Sequence, residues 1–122
     1  MSKSIVQRVG EWMIAAFGED VANDGKERNH RYLEESLELV QSLGCTRKEV
    51  DMLVDYVYSR PLGEPRQEVG GASITLAALC FAHKIDLAQC TEDELARIWV
   101  KIEQVRAKQL TKPRNSPLPG KS

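Results

Sequence analysis

The chain is poor in most of the features that announce a function class. It has only three cysteines among its 122 residues, Cys45, Cys80 and Cys90, an odd count without CxxC spacing. A disulfide scaffold or a zinc site is therefore not expected, and a cytoplasmic setting is. No apolar run approaches the ~18 residues needed to cross a bilayer; the longest, Ala72 to Ala82, is interrupted by Ser73 and Thr75. The opening "MSKSIVQRVGEW" lacks the apolar core of a signal peptide. Neither sign of charge is in excess: 17 basic against 18 acidic residues leave a formal net charge of −1. That balance argues against a nucleic-acid polymer as partner, since phosphate neutralisation calls for a basic excess. Repeats and low-complexity blocks are missing. So is a phosphate-binding glycine loop, because "GEPRQEVGG" follows no strand and lacks GK[ST]. His30 and His83 have no second histidine or cysteine at ligand spacing, and Ser73 and Thr75 have no evident base.

What is present is helical periodicity. Ile5, Val9, Trp12, Met13, Ala16 and Phe17 predict a first helix over about Ser4 to Phe17, ended by Gly18. "GEDVANDGK" reads as a connector. A second helix is expected from about Glu27 to Leu43, stopped at Gly44. Thr46 with Glu49 forms a capping-box pattern and opens a third, about Arg47 to Ser59, with Val50, Leu53, Val54 and Val57 facing inward. Pro61 and Pro65 mark "RPLGEPRQE" as a loop. The fourth helix is expected from Arg66 or Gln67 to about His83, and "KIDLAQC" as a turn. Thr91 with Glu94 repeats the capping box and predicts a last helix to Leu110, with Leu95, Ile98, Trp99, Ile102 and Val105 as its buried stripe. Trp12 and Trp99 are both assigned to the core. "ASITLAALCFA", the one rival strand candidate, is long and alanine-rich enough to be a buried helix. The expectation is an all-α fold: a single domain over residues 1–110, four or five helices packed around the fourth. The tail 111–122, with three prolines and no apolar period, is expected to be disordered.

Two groups of acids stand out. At about 100° per residue, Glu34, Glu35 and Glu38 gather on one side of the second helix, opposite Leu33, Leu37 and Val40. A solvated outer face accounts for them without any site. Arg31, four residues before Glu35 and four after Glu27, would then make surface ion pairs. Glu68 is less easily dismissed. It opens a helix that is apolar nearly all round, which belongs inside a fold. The helix dipole favours an acid there, yet a carboxylate at the entrance to a core needs a partner. A divalent cation shared with Glu35 and Glu38 would supply one, and Mg²⁺ takes oxygen ligands while bridging phosphates. Gly70 and Gly71 beside it fit either close helix packing or room for a ligand.

The pattern Glu34-Glu35-x-x-Glu38, followed by a helix opening with Glu68-Val-Gly, resembles the MazG-like all-α nucleoside triphosphate pyrophosphohydrolases, whose motifs read EExxE and ExxD on neighbouring helices. The resemblance covers about Glu27 to Gln109, with "RYLEESLELVQSLG", "QEVGGASITLAALCFAHKIDL" and "ELARIWVKIEQVRAKQ" as its best stretches. It implies a bundle of about four core helices completed by a homodimer or homotetramer. It also implies cleavage of a nucleotide between its α and β phosphates with Mg²⁺ or Mn²⁺. Glu35, Glu38 and Glu68 fall on metal-ligand positions, and Glu34 on one suited to the attacking water. Small single-domain relatives occur in phage and prophage genomes.

The position of the ExxD aspartate is Gly71, a departure that removes one carboxylate of four. Glu64, behind Pro65, is the nearest substitute on that stretch; Asp51 and Asp55 are expected to be solvated. For phosphate, Lys101 on the last helix is the first choice and Arg60 and Arg66 the alternatives; Arg106 and Lys108 share the basic end of that helix. Tyr56 and Tyr58 are candidates for a pocket edge. Three readings follow: a Mg²⁺-dependent nucleotide pyrophosphohydrolase, a protein that grips a nucleotide without cleaving it, and a helical oligomerisation module.

Overall fold

A computed structural model describes residues 2–111. The expected tail from residue 112 onward lies outside the described residues. Within them the chain is all-helical: α1 Ile5–Phe17, α2 Glu19–Ala22, α3 Gly25–Ser42, α4 Arg47–Tyr58, α5 Pro65–Ala82, α6 Leu87–Val100 and α7 Ile102–Leu110.

Local chemistry explains most of the boundaries. Ser4 and Thr46 close full capping boxes with Gln7 and Glu49, each satisfying donors that a helix start leaves unpaired. Asp24 caps α3 by accepting from the Glu27 N–H, which moves that start ahead of the expected Glu27. Pro65 is the first residue of α5, where its missing N–H costs nothing. Gly44, at φ 93°, supplies the left-handed residue after α3. At the end of α5 that role falls to Lys84, at φ 60°. The Ile85 N–H donates to the Cys80 carbonyl at 2.9 Å, closing the turn as a Schellman motif.

Three expectations need correction. "GEDVANDGK" contains the short helix α2. The "KIDLAQC" turn is largely helix: Asp86 accepts from the Gln89 N–H and α6 starts at Leu87. Thr91 therefore lies inside α6, its hydroxyl donating to the Leu87 carbonyl. The last helix is also interrupted at Lys101. There the Trp12 indole N–H donates to the Ile98 carbonyl at 3.1 Å, the acceptor that the Ile102 N–H uses in an unbroken helix.

Contacts group the chain into two compact units, residues 1–43 with 95–122, and residues 44–94. The first contains the core. Trp12, Ala16 and Leu95 are buried, and Val9, Met13, Phe17, Ile98, Ile102 and Val105 pack on them. Trp12 and Phe17 meet edge to face at 5.3 Å, a favoured aromatic geometry. Arg106 on α7 donates to the carbonyls of Ala15 and Ala16. It thereby serves the last turn of α1, which has no basic residue of its own.

The second unit differs. Of α5 only Cys80 is buried, and α4 buries nothing. Val50 is half-buried, but Leu53, Val54 and Val57, expected to face inward, are exposed, as is Ile74 at 71%. Within its own unit α5 is therefore largely exposed among the described residues: an apolar pattern marks a face for burial without specifying what covers it. Trp99, in the first unit, is likewise 43% exposed rather than core. No single helix among the described residues is long and apolar enough to cross a membrane.

Candidate functional site

On α3 the acids divide by environment. Glu27, expected on the surface, is the one fully buried charged side chain among the described residues, at 0% exposure. Its carboxylate accepts from Gln109 Nε2 and lies 3.3 Å from Arg28 Nη2, with Oε2 left without a hydrogen-bond donor. Arg28 in turn lies over the Phe17 ring and donates to Met13 Sδ at 3.6 Å. Glu27 thus ties α3 to the end of α7. Sequence pattern hid this because an acid in a first turn beside two arginines looks like a solvated group; the signal available was Asp24 three residues earlier, which marks Glu27 as part of the helix start. His30 is half-buried with Nδ1 enclosed and unpaired. Among the motif acids, Glu34 is half-buried and pairs with Arg31 at 3.2 Å, while Glu35 and Glu38 are exposed.

Glu68 lies at the α4–α5 connector, on an open surface depression whose lining residues are all exposed. Val57, Tyr58, Pro61, Leu62 and Pro65 supply its apolar and aromatic walls, and Arg60 and Glu68 its charges. Arg60, two residues past the end of α4, is held by that helix: its guanidinium stacks 4.9 Å over the Tyr56 ring and donates to the Tyr56 hydroxyl at 3.1 Å. Glu64 is engaged at the start of α5. Its carboxylate accepts from the Gln67 N–H and caps α5. A Cβ at Gly63 would sit 2.9 Å from the Glu68 carboxyl carbon, so a larger residue there would displace the end of that side chain. Sequence reading placed Arg60, Tyr58 and Glu68 near one loop, and the structure keeps them there.

The remaining candidates are dispersed. Lys101 is exposed at the break between α6 and α7, and Arg66 is exposed on the first turn of α5. Arg106, engaged with α1 and 3.0 Å from Glu103, is not available as a phosphate ligand. Asp51 pairs with Arg47 at 3.0 Å, as a surface group. A Cβ at Gly70 or Gly71 would meet nothing within 4 Å, so neither close packing nor a filled site surrounds them in this chain. No group of three or more His, Cys, Asp or Glu side chains among the described residues is arranged to hold a metal ion. Glu49 on the first turn of α4 has a lowered pKa. The Thr46 backbone N–H, then the Thr46 hydroxyl, hold it below the ordinary carboxylate range.

Comparison of the chain with protein-family models, curated proteins and solved structures found no match.

Proposed function

We propose that the chain handles a nucleotide together with Mg²⁺ or Mn²⁺, hydrolysing a nucleoside triphosphate to the monophosphate and pyrophosphate. The observation that carries this reading is Glu68. Its carboxylate has no hydrogen bond or ion pair among the described residues, yet it lines a depression that also presents the Arg60 guanidinium. The EExxE pattern on α3 supports the same reading by resemblance. The metal-binding carboxylates are then Glu35, Glu38 and Glu68, and Glu34 orients or deprotonates water. Lys101, Arg60 and Arg66 are the phosphate contacts. Mg²⁺ is commonly held by one or two carboxylates plus substrate phosphates and waters rather than by a protein cage, so this assignment does not require a preformed cluster. The metal draws charge from the phosphates and helps to generate hydroxide.

A second reading, binding without cleavage, is favoured by Gly71. It stands where the resembled family has its aspartate, and no nearby acid replaces it. Because a side chain at Gly71 meets no neighbour, Gly71→Asp is a direct test. Each protein is incubated with Mg²⁺ or Mn²⁺ and a panel of ribo- and deoxynucleoside triphosphates, and products are read by chromatography and mass spectrometry. Monophosphate and pyrophosphate from the wild type but not from Glu38→Ala establish the enzyme. Product only from Gly71→Asp establishes the binding reading. Intact nucleotides throughout, with no measurable nucleotide binding, reject both in favour of an interaction module.

The proposal includes a homodimer or homotetramer. A unit as small as residues 44–94 cannot stand on one buried cysteine, and Ile74 and Phe81 are 71% and 81% exposed on α5. A second copy of the chain is the partner proposed for that helix. Light scattering is expected to give a multiple of 13.7 kDa, reduced to the monomer mass by Ile74→Asp.

A further inference from the structure

We infer that residues 95–110 form a two-state strap, held bent by the Trp12 indole and otherwise one continuous helix, whose release uncovers the Glu27 carboxylate. The inference does not depend on the nucleotide reading above.

The stretch "LARIWVKIEQVRAKQL" contains no glycine or proline and is rich in residues that favour helix. Nothing local therefore explains why α6 ends at Val100 and α7 restarts at Ile102. Bends without such residues arise where a side chain enters the ladder of i→i−4 bonds, and Trp12 is that side chain. Its N–H donates to the Ile98 carbonyl at 3.1 Å. The ladder is kept around the break: the Lys101 N–H donates to the Arg97 carbonyl and the Val105 N–H to the Lys101 carbonyl. Straightening thus exchanges the indole bond for the backbone bond from Ile102. What opposes it is the set of contacts the bend brings together. Ile102 and Val105 pack on the core, Arg106 donates to the Ala15 and Ala16 carbonyls, and Gln109 Nε2 donates to Glu27. That seat is shallow, since α7 buries no residue fully. A local preference for straight helix set against a shallow tertiary seat is the condition for two accessible conformations. In the bent one Glu27 is wholly buried, with Oε2 already lacking a donor. Release withdraws Gln109 and returns that carboxylate to water, which an incompletely bonded charge favours. Helix α3 then presents one more negative charge, seven residues before Glu34.

The test is ¹⁹F NMR of the full-length chain labelled with 5-fluorotryptophan. Its two tryptophans are Trp12, the latch, and Trp99, two residues before the break. Trp12→Phe keeps an aromatic ring, removes the N–H donor and leaves Trp99 as the single reporter. A second Trp99 resonance is expected, with a share at least tenfold above its wild-type share, as the loss of one buried hydrogen bond allows. Amide exchange separates straightening from local unfolding. A straight helix gives the Ile102 N–H the Ile98 carbonyl, so its exchange is expected to slow in Trp12→Phe, whereas local unfolding makes it faster. Arg106→Ala leaves the latch in place and removes one clasp. It is expected to raise the same Trp99 resonance by a smaller factor, and it carries the test if Trp12→Phe does not fold. An unchanged Trp99 spectrum overturns the inference, as does Ile102 exchange that is unchanged or faster where the second resonance appears.

Discussion

The two units of this chain are built from equally regular helices and differ in what those helices bury. In the first, residues of α1, α6 and α7 enclose Trp12, Ala16 and Leu95, and the buried carboxylate of Glu27 links α3 to α7. In the second, α4 is closed by a full capping box and α5 by a proline start and a Schellman turn, yet Cys80 is the one buried residue of the pair. The contrast separates two causes of structure. Caps and turns decide where a helix begins and ends, whereas burial depends on what lies opposite. Helix α5 satisfies the first condition, and among the described residues of its own unit little satisfies the second. The unpaired Glu68 and the depression of the connector belong to the less packed unit, and the stable core belongs to the other.

That comparison can be broken at several points. The largest effect is expected from Trp12→Ala, which empties the core of the first unit and removes the bond to the Ile98 carbonyl. About 4 kcal/mol should be lost, read as a lower midpoint in urea denaturation. If the loss is under about 1 kcal/mol, the first unit is not where stability resides. Glu27→Leu is expected to cost about 3 kcal/mol, because Arg28 and Gln109 lose their acceptor. Hydrogen exchange at α7 should rise more than at α4 or α5. Uniform exchange across both units would mean that the buried link does not hold α7 specifically.

In the second unit the effects are smaller and their sign is informative. Gly70 meets nothing within 4 Å, so Gly70→Ala should raise the stability of the monomer by about 1 kcal/mol through helix propensity alone. A gain in the monomer together with weaker self-association in sedimentation equilibrium would locate the second copy at that position. Lys84→Gly, relieving a left-handed lysine, should add about 1 kcal/mol, measured as a higher Tm.

The smallest effect concerns pH at the start of α4. The folded-state pKa of Glu49 is lowered, first by the Thr46 backbone N–H and then by its hydroxyl. Its support for the helix is therefore full above the unfolded carboxylate pKa and is lost as pH falls through the lower folded value. Amide exchange near Val50 should quicken in that acid window and not in Glu49→Gln. An identical acid response in the two proteins would assign the effect to other carboxylates.

Helix placement was largely legible in the sequence because it rests on neighbours a few residues apart. The Thr46–Glu49 box, Gly18, Gly44 and the proline loop each mark a boundary that the structure keeps. The same kind of evidence failed at Thr91, whose capping pattern was outweighed by Asp86 five residues earlier, and at Lys101, where the interrupting donor comes from Trp12 on another helix. The acids were legible as a pattern but not as environments. Glu27 looked like its exposed neighbours until Gln109 and Arg28 closed over it, while Glu68 was distinctive from the outset because it stood alone before an apolar run.

By itself, then, the sequence determined that the chain is helical, where most of its helices start and stop, and which side chains are acids without an obvious partner. These follow from hydrogen bonds and turn conformations within a few residues. Only the tertiary structure decided that Glu27 is buried, that Arg106 donates to the last turn of α1, and that the Trp12 indole meets the Ile98 carbonyl. Each depends on groups brought together from distant positions, and no periodicity along one helix encodes what will face it.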